Sequence, residues 1–310
     1  MKLLPLLVRG RQAQRDEHAA GEGAKLGTLR GGSAGILTPE GQVYGTCPRL
    51  SHLRKLGKQV EVEPYADILF AAGYSNEDIV AEELRAAGIP FKQEEEIPVV
   101  WETSNGTKVT GRPDIVILDE AGNPAMGLEL KLISSIWTAK SVMGQGEPKS
   151  DHLIQAAHYS WKLDIPWKLV YANRAYWHIN YNKFLTTTFK DNEYCEHKED
   201  RPFRILPAYC VFELEWQGDR LHYRKEGTEE YTSTEITKDS IESYFEAVAG
   251  IIDKVPPRPT NKHVNGGKSY KACDYCALSD VCDTHESADL QRWTDEATIE
   301  INKLAEERKL

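Results

Sequence analysis

The chain has 310 residues, enough for one large core or two modest ones, and its 40% hydrophobic and 28% charged content is that of an ordinary globular protein. A formal net charge of -10, from 38 basic against 48 acidic residues, argues against a protein that coats nucleic acid or acidic membrane all over, yet it leaves room for a local basic surface. The apolar stretch Leu3 to Val8 is six residues long and broken by Pro5, too short for a signal-peptide core, and no later segment approaches the roughly 18 apolar residues of a membrane span.

These features predict a cytoplasmic protein with no membrane partner. In that reducing compartment its six cysteines are ligands or core fillers before they are disulfides. Residues 1–46, rich in glycine and polar residues ("GEGAKLGTLRGGSAG"), predict an N-terminal arm ordered only where it packs on the body. Residues 77–87 place Ile79, Val80, Leu84 and Ala87 at helical spacing, with Gly88 and Pro90 as the stop. Strands follow in "EEEIPVVWE" and in "KVTGRPDIVILDEAGNPAMGLELKL", whose Asp-Glu-Ala-Gly-Asn stretch carries turn chemistry. Ser150 to Leu163 reads as a helix with Ile154, Ala157 and Trp161 on one stripe, and "PWKLVYAN" and "AYWHINY" return as strands. "AYCVFELEWQGDRLHYRK" is a hairpin turning at Gly218-Asp219. A helix from about Lys238 to Lys254 buries Ile241, Tyr244, Phe245, Val248, Ile251 and Ile252, and Pro256-Pro257 ends it. The order predicts an α/β protein with a mixed central sheet flanked by helices. Residues 47–285 form one domain in this scheme, and residues 286–310 a C-terminal amphipathic helix.

One hairpin poses a chemical problem. Asp114 follows Pro113, and Glu129-Leu130-Lys131 ends the next apolar run. Side chains repeat every second residue on a strand, so Glu129 and Lys131 share a face while Leu130 points to the core. Should Asp114 lie beside Glu129, two carboxylates in a low-dielectric setting call for a proton, a cationic partner or a metal ion. Magnesium or manganese suits such oxygen ligands, and Lys131 could orient or deprotonate a metal-polarised water. The bland alternative is a strand-end aspartate and an exposed ion pair worth under about 1 kcal/mol.

Pro113-Asp114 with Glu129-Leu130-Lys131 resembles the signature of the PD-(D/E)XK nuclease superfamily, whose fold is a restriction-endonuclease-like core. "HLIQAAHY", with Gln155 and Tyr159 one turn apart, is similar to the Gln-x-x-x-Tyr motif of its RecB-like branch. "TCPRL" with "CDYCALSDVC" resembles the iron-sulfur members of that branch, among them CRISPR-associated spacer-acquisition exonucleases and the AddB nuclease domain. The resemblance runs from about residue 43 to 283. It implies that Asp114, Glu129 and the Leu130 carbonyl bind Mg2+ or Mn2+, that Lys131 serves the attacking water, and that Gln155 and Tyr159 position the scissile strand. It also implies an acidic residue or histidine from an upstream helix. Asn76 stands where the CRISPR-associated members tend to have histidine, which leaves Glu77 as the extra metal contact. His152 falls on the face of Gln155 and Tyr159 and is either a DNA contact or an ordinary surface histidine.

Cys273, Cys276 and Cys282 form a compact knuckle. Cys47 as fourth ligand makes an all-thiolate site suited to a [4Fe-4S] cluster, whereas His285, three residues beyond Cys282, would complete a zinc site without long-range closure. The family resemblance favours Cys47, and the cluster would then clip a helical C-terminal segment to the body. Cys195 and Cys210 lack partners at ligand spacing.

From Lys131 to Lys183 there are seven basic residues against three acidic ones, and four of the seven tryptophans fall in the same stretch. Basic side chains neutralise phosphates and exposed aromatics stack on unpaired bases, so single-stranded DNA or a duplex end is the expected partner. No G-x-x-x-x-G-K-[ST] phosphate loop is present, and any unwinding would come from a helicase or recombination partner. The resulting expectation is a metal-dependent DNA exonuclease in recombination, repair, phage replication or DNA capture. Set against it are a non-catalytic DNA-binding or scaffold subunit and a zinc-stabilised module for protein contact.

Overall fold

A computed structural model describes residues 27–55, 64–93, 96–173 and 208–250. Predicted features outside them are the "AYWHINY" strand, Cys195, the Cys273–Cys276–Cys282 knuckle, His285 and the C-terminal helix. The described chain is α/β. It begins with β1 (Leu29–Arg30), a 3-10 turn at Gly31–Ser33, β2 (Gly35–Leu37), β3 (Val43–Gly45), α1 (Pro48–Lys55) and α2 (Pro64–Ala86). Strands β4 (Phe91–Gln93), β5 (Val99–Glu102), β6 (Lys108–Gly111), β7 (Ile115–Leu118) and β8 (Pro124–Ile133) follow. Next come a short helix α3 (Ile136–Ala139) that widens into a π-turn, α4 (Ser150–Leu163) and β9 (Trp167–Asn173). The described chain closes with β10 (Tyr209–Gln217), β11 (Arg220–Lys225), β12 (Thr232–Thr237) and α5 (Lys238–Gly250). Among the described residues no helix is long and apolar enough to cross a membrane.

The main sheet has seven strands in the order β12-β11-β10-β9-β8-β7-β4. Its one parallel pair is β8 with β9, joined through α4, while every other neighbour pair is antiparallel. A parallel neighbour requires a crossover, and the run from β8 through α4 to β9 supplies it. Turn chemistry sets two of the sheet's hairpins. Asp119 accepts from the backbone N–H groups of Ala121 and Asn123 in the β7–β8 turn. In the β10–β11 turn Gly218 alone takes a positive φ, the type II′ pattern.

Each face of the sheet has its own core. On one, Leu169, Tyr171, Phe212 and Leu214 pack with Leu153, Ile154 and Ala157 of α4 and Tyr244, Phe245 and Val248 of α5. On the other, Ile115, Leu128 and Leu130 pack with Val80, Ala81 and Leu84 of α2. Leu130 therefore faces the α2 core, as its place between Glu129 and Lys131 predicts.

Two sequence expectations change. Residues 27–46 are no arm, because Leu29, Ala34, Ile36, Val43 and Tyr44 are buried in the larger core. The packed body thus reaches back past residue 47. Ile79 is 45% exposed, since it lies about 100° around the helix from Val80 and cannot share its stripe. The helix itself begins at Pro64, well before residue 77.

Candidate functional site

The site begins where β6 ends. Gly111, Arg112 and Pro113 carry the chain from the three-stranded β1-β6-β5 sheet into β7 of the main sheet. In the antiparallel ladder Ile115 pairs with Leu128. One residue further, Asp114 comes opposite Glu129. Asp114 Oδ2 accepts the Leu130 backbone N–H at 2.7 Å, so a side chain takes over where the β7 ladder ends and pins this carboxylate to β8.

Glu129 sits on the α4 face, level with Leu169 of β9, and is 0% exposed. Its Oε1 accepts from Lys131 Nζ at 2.5 Å. Its Oε2 is buried and, among the described residues, has no hydrogen-bond partner. Burial first, and the Asp114 charge second, push the Glu129 carboxyl up to about 8, and Lys131 offsets only part of this. Lys131 is held well above the usual lysine range by Glu129 and Asp114, which overcome its desolvation. The exposed ion pair is thereby corrected: Glu129 is wholly buried, hydrogen-bonded to the largely buried Lys131 and close to the half-buried Asp114. Such an arrangement costs stability unless a further cation or proton joins it.

Helix α4 begins and ends at the residues expected, and its C-cap Asp164 takes the left-handed conformation at φ 53°. It is buried on most sides, so His152, Gln155 and Tyr159 are not a solvated face. Tyr159 is 2% exposed. The Gln155 side chain and the Arg112 backbone N–H hydrogen-bond to its hydroxyl, while burial first, then Glu129 and Asp114, push its pKa far up. Glycines make the room. A Cβ on Gly111 would stand 2.5 Å from the Tyr159 ring, and one on Gly32 would stand 3.3 Å from its hydroxyl and 3.4 Å from Gln155 Nε2. The 3-10 turn at Gly31–Ser33 thus roofs the Gln155–Tyr159 pair. His152 packs on Tyr171 with its Nδ1 3.0 Å from the Tyr171 hydroxyl.

Glu77 is half-buried on α2, one turn before Val80, and its neighbour Asn76 is buried. Cys47 precedes α1 and is half-buried. Its neighbour Thr46 accepts from the Tyr244 hydroxyl of α5, and the Cys47 thiol acts on the same tyrosine. The three knuckle cysteines lie outside the described residues, so the four-thiolate set stays an expectation. Cys210 is a core residue whose thiol burial pushes up to about 12. Trp167 is buried, while Trp101 and Trp161 are half-buried with Lys162 Nζ over both rings, at 3.8 and 3.4 Å from their centroids.

Tyr171 is the site residue that sequence reasoning passed over. On a strand rich in Leu, Val and Ala it looks like core packing, and its place beneath His152 follows only from the register of β9 under α4.

Whether a divalent ion suits this donor set turns on oxygen. Two carboxylates and the neighbouring Leu130 carbonyl are hard ligands of the magnesium and manganese type, and Glu129 Oε2 is a buried oxygen with no hydrogen-bond partner among the described residues. Among the described residues no group of three or more His, Cys, Asp or Glu side chains gathers to hold a metal. The site therefore fits an ion that takes two carboxylates and completes its shell with carbonyl and water.

The chain matches no known family model and no curated protein. It is similar to the solved structure titled "Crystal structure of SSO0001" at 14% identity and a TM-score of 0.45, over 90% of this chain and 95% of that one. A likeness at that level assigns neither a family nor an activity.

Proposed function

We propose that the protein is a metal-dependent deoxyribonuclease with a restriction-endonuclease-like core, hydrolysing phosphodiester bonds in single-stranded DNA or at DNA ends. The observation that carries this reading is Glu129, wholly buried against Asp114 and Lys131 with one carboxylate oxygen left unpartnered. A chain without use for that cluster gains stability by losing it.

In this reading Asp114, Glu129 and the Leu130 carbonyl would hold Mg2+ or Mn2+, while Glu77, the expected added contact, stands on α2, which packs on the opposite face of the sheet. When bound, such an ion would supply Lewis acidity and lower the pKa of a coordinated water. Lys131, kept protonated by its two carboxylate neighbours, presents positive charge and a hydrogen bond to the phosphate. Gln155 and Tyr159, hydrogen-bonded to each other beneath the glycine turn, would position the scissile strand. Cys47, just before α1, lies against Tyr244 of α5, the helix after which the chain continues toward Cys273, Cys276 and Cys282. That placement supports an iron-sulfur clip, and zinc with His285 remains its alternative. A non-catalytic DNA-binding or scaffold subunit is the second reading, favoured by the lack of a three-ligand cluster among the described residues.

The test is degradation of 5′- and 3′-labelled single strands by the full chain with Mg2+ or Mn2+. Anaerobic purification and metal analysis accompany it. Loss of labelled substrate that disappears in Lys131→Ala supports the nuclease, and parent and variant digesting at the same rate refutes it.

A further inference from the structure

Tyr171 of β9 is fully buried under the first turn of α4, with its ring edge-on to Phe212 and tilted against His152 at a centroid distance of 5.6 Å. Its hydroxyl lies 3.0 Å from the Lys149 backbone nitrogen and 3.0 Å from His152 Nδ1. The Lys149 N–H can only donate, so it takes a lone pair of the phenolic oxygen. The phenol's own proton then needs an acceptor, and Nδ1 of His152 is the one in reach. A proton on Nδ1 would leave the O–H of a wholly buried tyrosine unsatisfied, which is the costlier arrangement.

The ring itself is neutral. Burial dominates, Asp151 opposes it, and the Lys131 and Lys149 charges add to it, carrying His152 down to about 3. A neutral imidazole with a bare Nδ1 carries its proton on Nε2. Among the described residues Nε2 makes no hydrogen bond, since the Asp151 carboxylate stands 3.9 Å away.

We propose that Tyr171 is a positioning residue that locks His152 in the Nε2–H tautomer, so that beside Lys131 the ring offers a fixed, uncharged hydrogen-bond donor to a phosphate oxygen of the DNA backbone. The ligand rests on the nuclease reading, whereas the tautomer does not. The division of labour is physical: Lys131 supplies charge, which salt screens, and His152 supplies direction, which salt leaves alone.

Two-bond nitrogen–proton NMR of the full-length protein labelled at histidine reads the tautomer directly. The expected spectrum has a fully protonated Nε2 and a bare Nδ1 for His152, and Tyr171→Phe shifts it toward the mixed tautomers of an unconstrained imidazole. A protonated Nδ1 in the parent, or an unchanged pattern in Tyr171→Phe, overturns the assignment. Should Tyr171→Phe fail to fold, a second pair decides. The amide nitrogen of Gln falls near the Nε2 position and that of Asn near Nδ1, so His152→Gln is expected to turn over a labelled single-stranded oligonucleotide roughly fivefold or more faster than His152→Asn. The salt slope of binding is expected to be the same in both. Equal rates for the two variants refute the donor role. If the parent is inert on DNA, the nuclease reading and the phosphate ligand fall together, and the parent spectrum still decides the tautomer lock.

Discussion

Replacing Glu129 by Gln is expected to stabilise the metal-free protein at neutral and alkaline pH. The Glu129 carboxyl moves from an ordinary 4.5 to about 8, so the folded state binds a proton that the unfolded state releases. The sign follows: this group's stability is fully present below pH 4.5, declines as pH rises, and is gone above about 8. At about 1.4 kcal/mol per pH unit the total is on the order of 5 kcal/mol, of which roughly 3 to 4 fall between pH 5 and pH 8. Gln keeps the shape and an acceptor for Lys131 Nζ while removing the buried charge. Urea denaturation of parent and Glu129→Gln, both in chelator, measures the difference at pH 5 and pH 8. The variant is expected to gain on the parent by a few kcal/mol across that window and, on the proposed nuclease reading, to be inactive on DNA. A stability difference that does not change with pH, or a variant weaker at pH 8, refutes the claim that burial and Asp114 outweigh Lys131.

Gly111→Ala is expected to cost about 1–3 kcal/mol by overpacking Tyr159, visible as a lower urea midpoint with unchanged slope. His158 accepts from Trp101 Nε1 and is carried down to about 3, chiefly by burial and then by Lys162. Its contribution is present above about 6.5 and is lost as pH falls toward 3, so His158→Gln is expected to flatten the acid limb of a stability–pH curve. Millimolar MnCl2 is expected to raise the melting temperature of the parent, reversibly with chelator, and to leave the Asp114→Asn, Glu129→Gln double variant where it was.

The elements with a clean period and a coded turn were legible in the sequence. Helix α4 begins at Ser150 and ends at Leu163 as its stripe predicts, and Gly218-Asp219 turns the β10–β11 hairpin. Of the site, the shared face of Glu129 and Lys131 could be read from strand alternation, whereas Asp114 beside Glu129 is a supposition carried by the family resemblance, and it rests on the β7–β8 register. The first half of α2 could not. Gly73, Ser75 and Asn76 are poor helix formers that read as a break, and Ser75 instead returns its hydroxyl to the Ala71 carbonyl within the helix. Residues 27–46 misled for a related reason. Gly31 and Gly32 look like linker composition, yet each is small because a ring or amide of α4 lies against it: a Cβ on Gly31 would meet His158 at 2.8 Å. Whether His152 meets solvent or Tyr171 depends on how a helix sits over a strand, a relation between distant segments that local pattern does not contain.

The parallel union of β8 with β9 has a further consequence. Asp114, Glu129, Lys131, His152, Gln155, Tyr159 and Tyr171 all fall within one uninterrupted stretch of chain, and the hairpin and edge strand from β10 to β12 extend the sheet away from it. Variation along that outer margin can therefore accumulate without breaking the chain segment that holds the cluster together, as a detachable tool head rides on an unaltered handle.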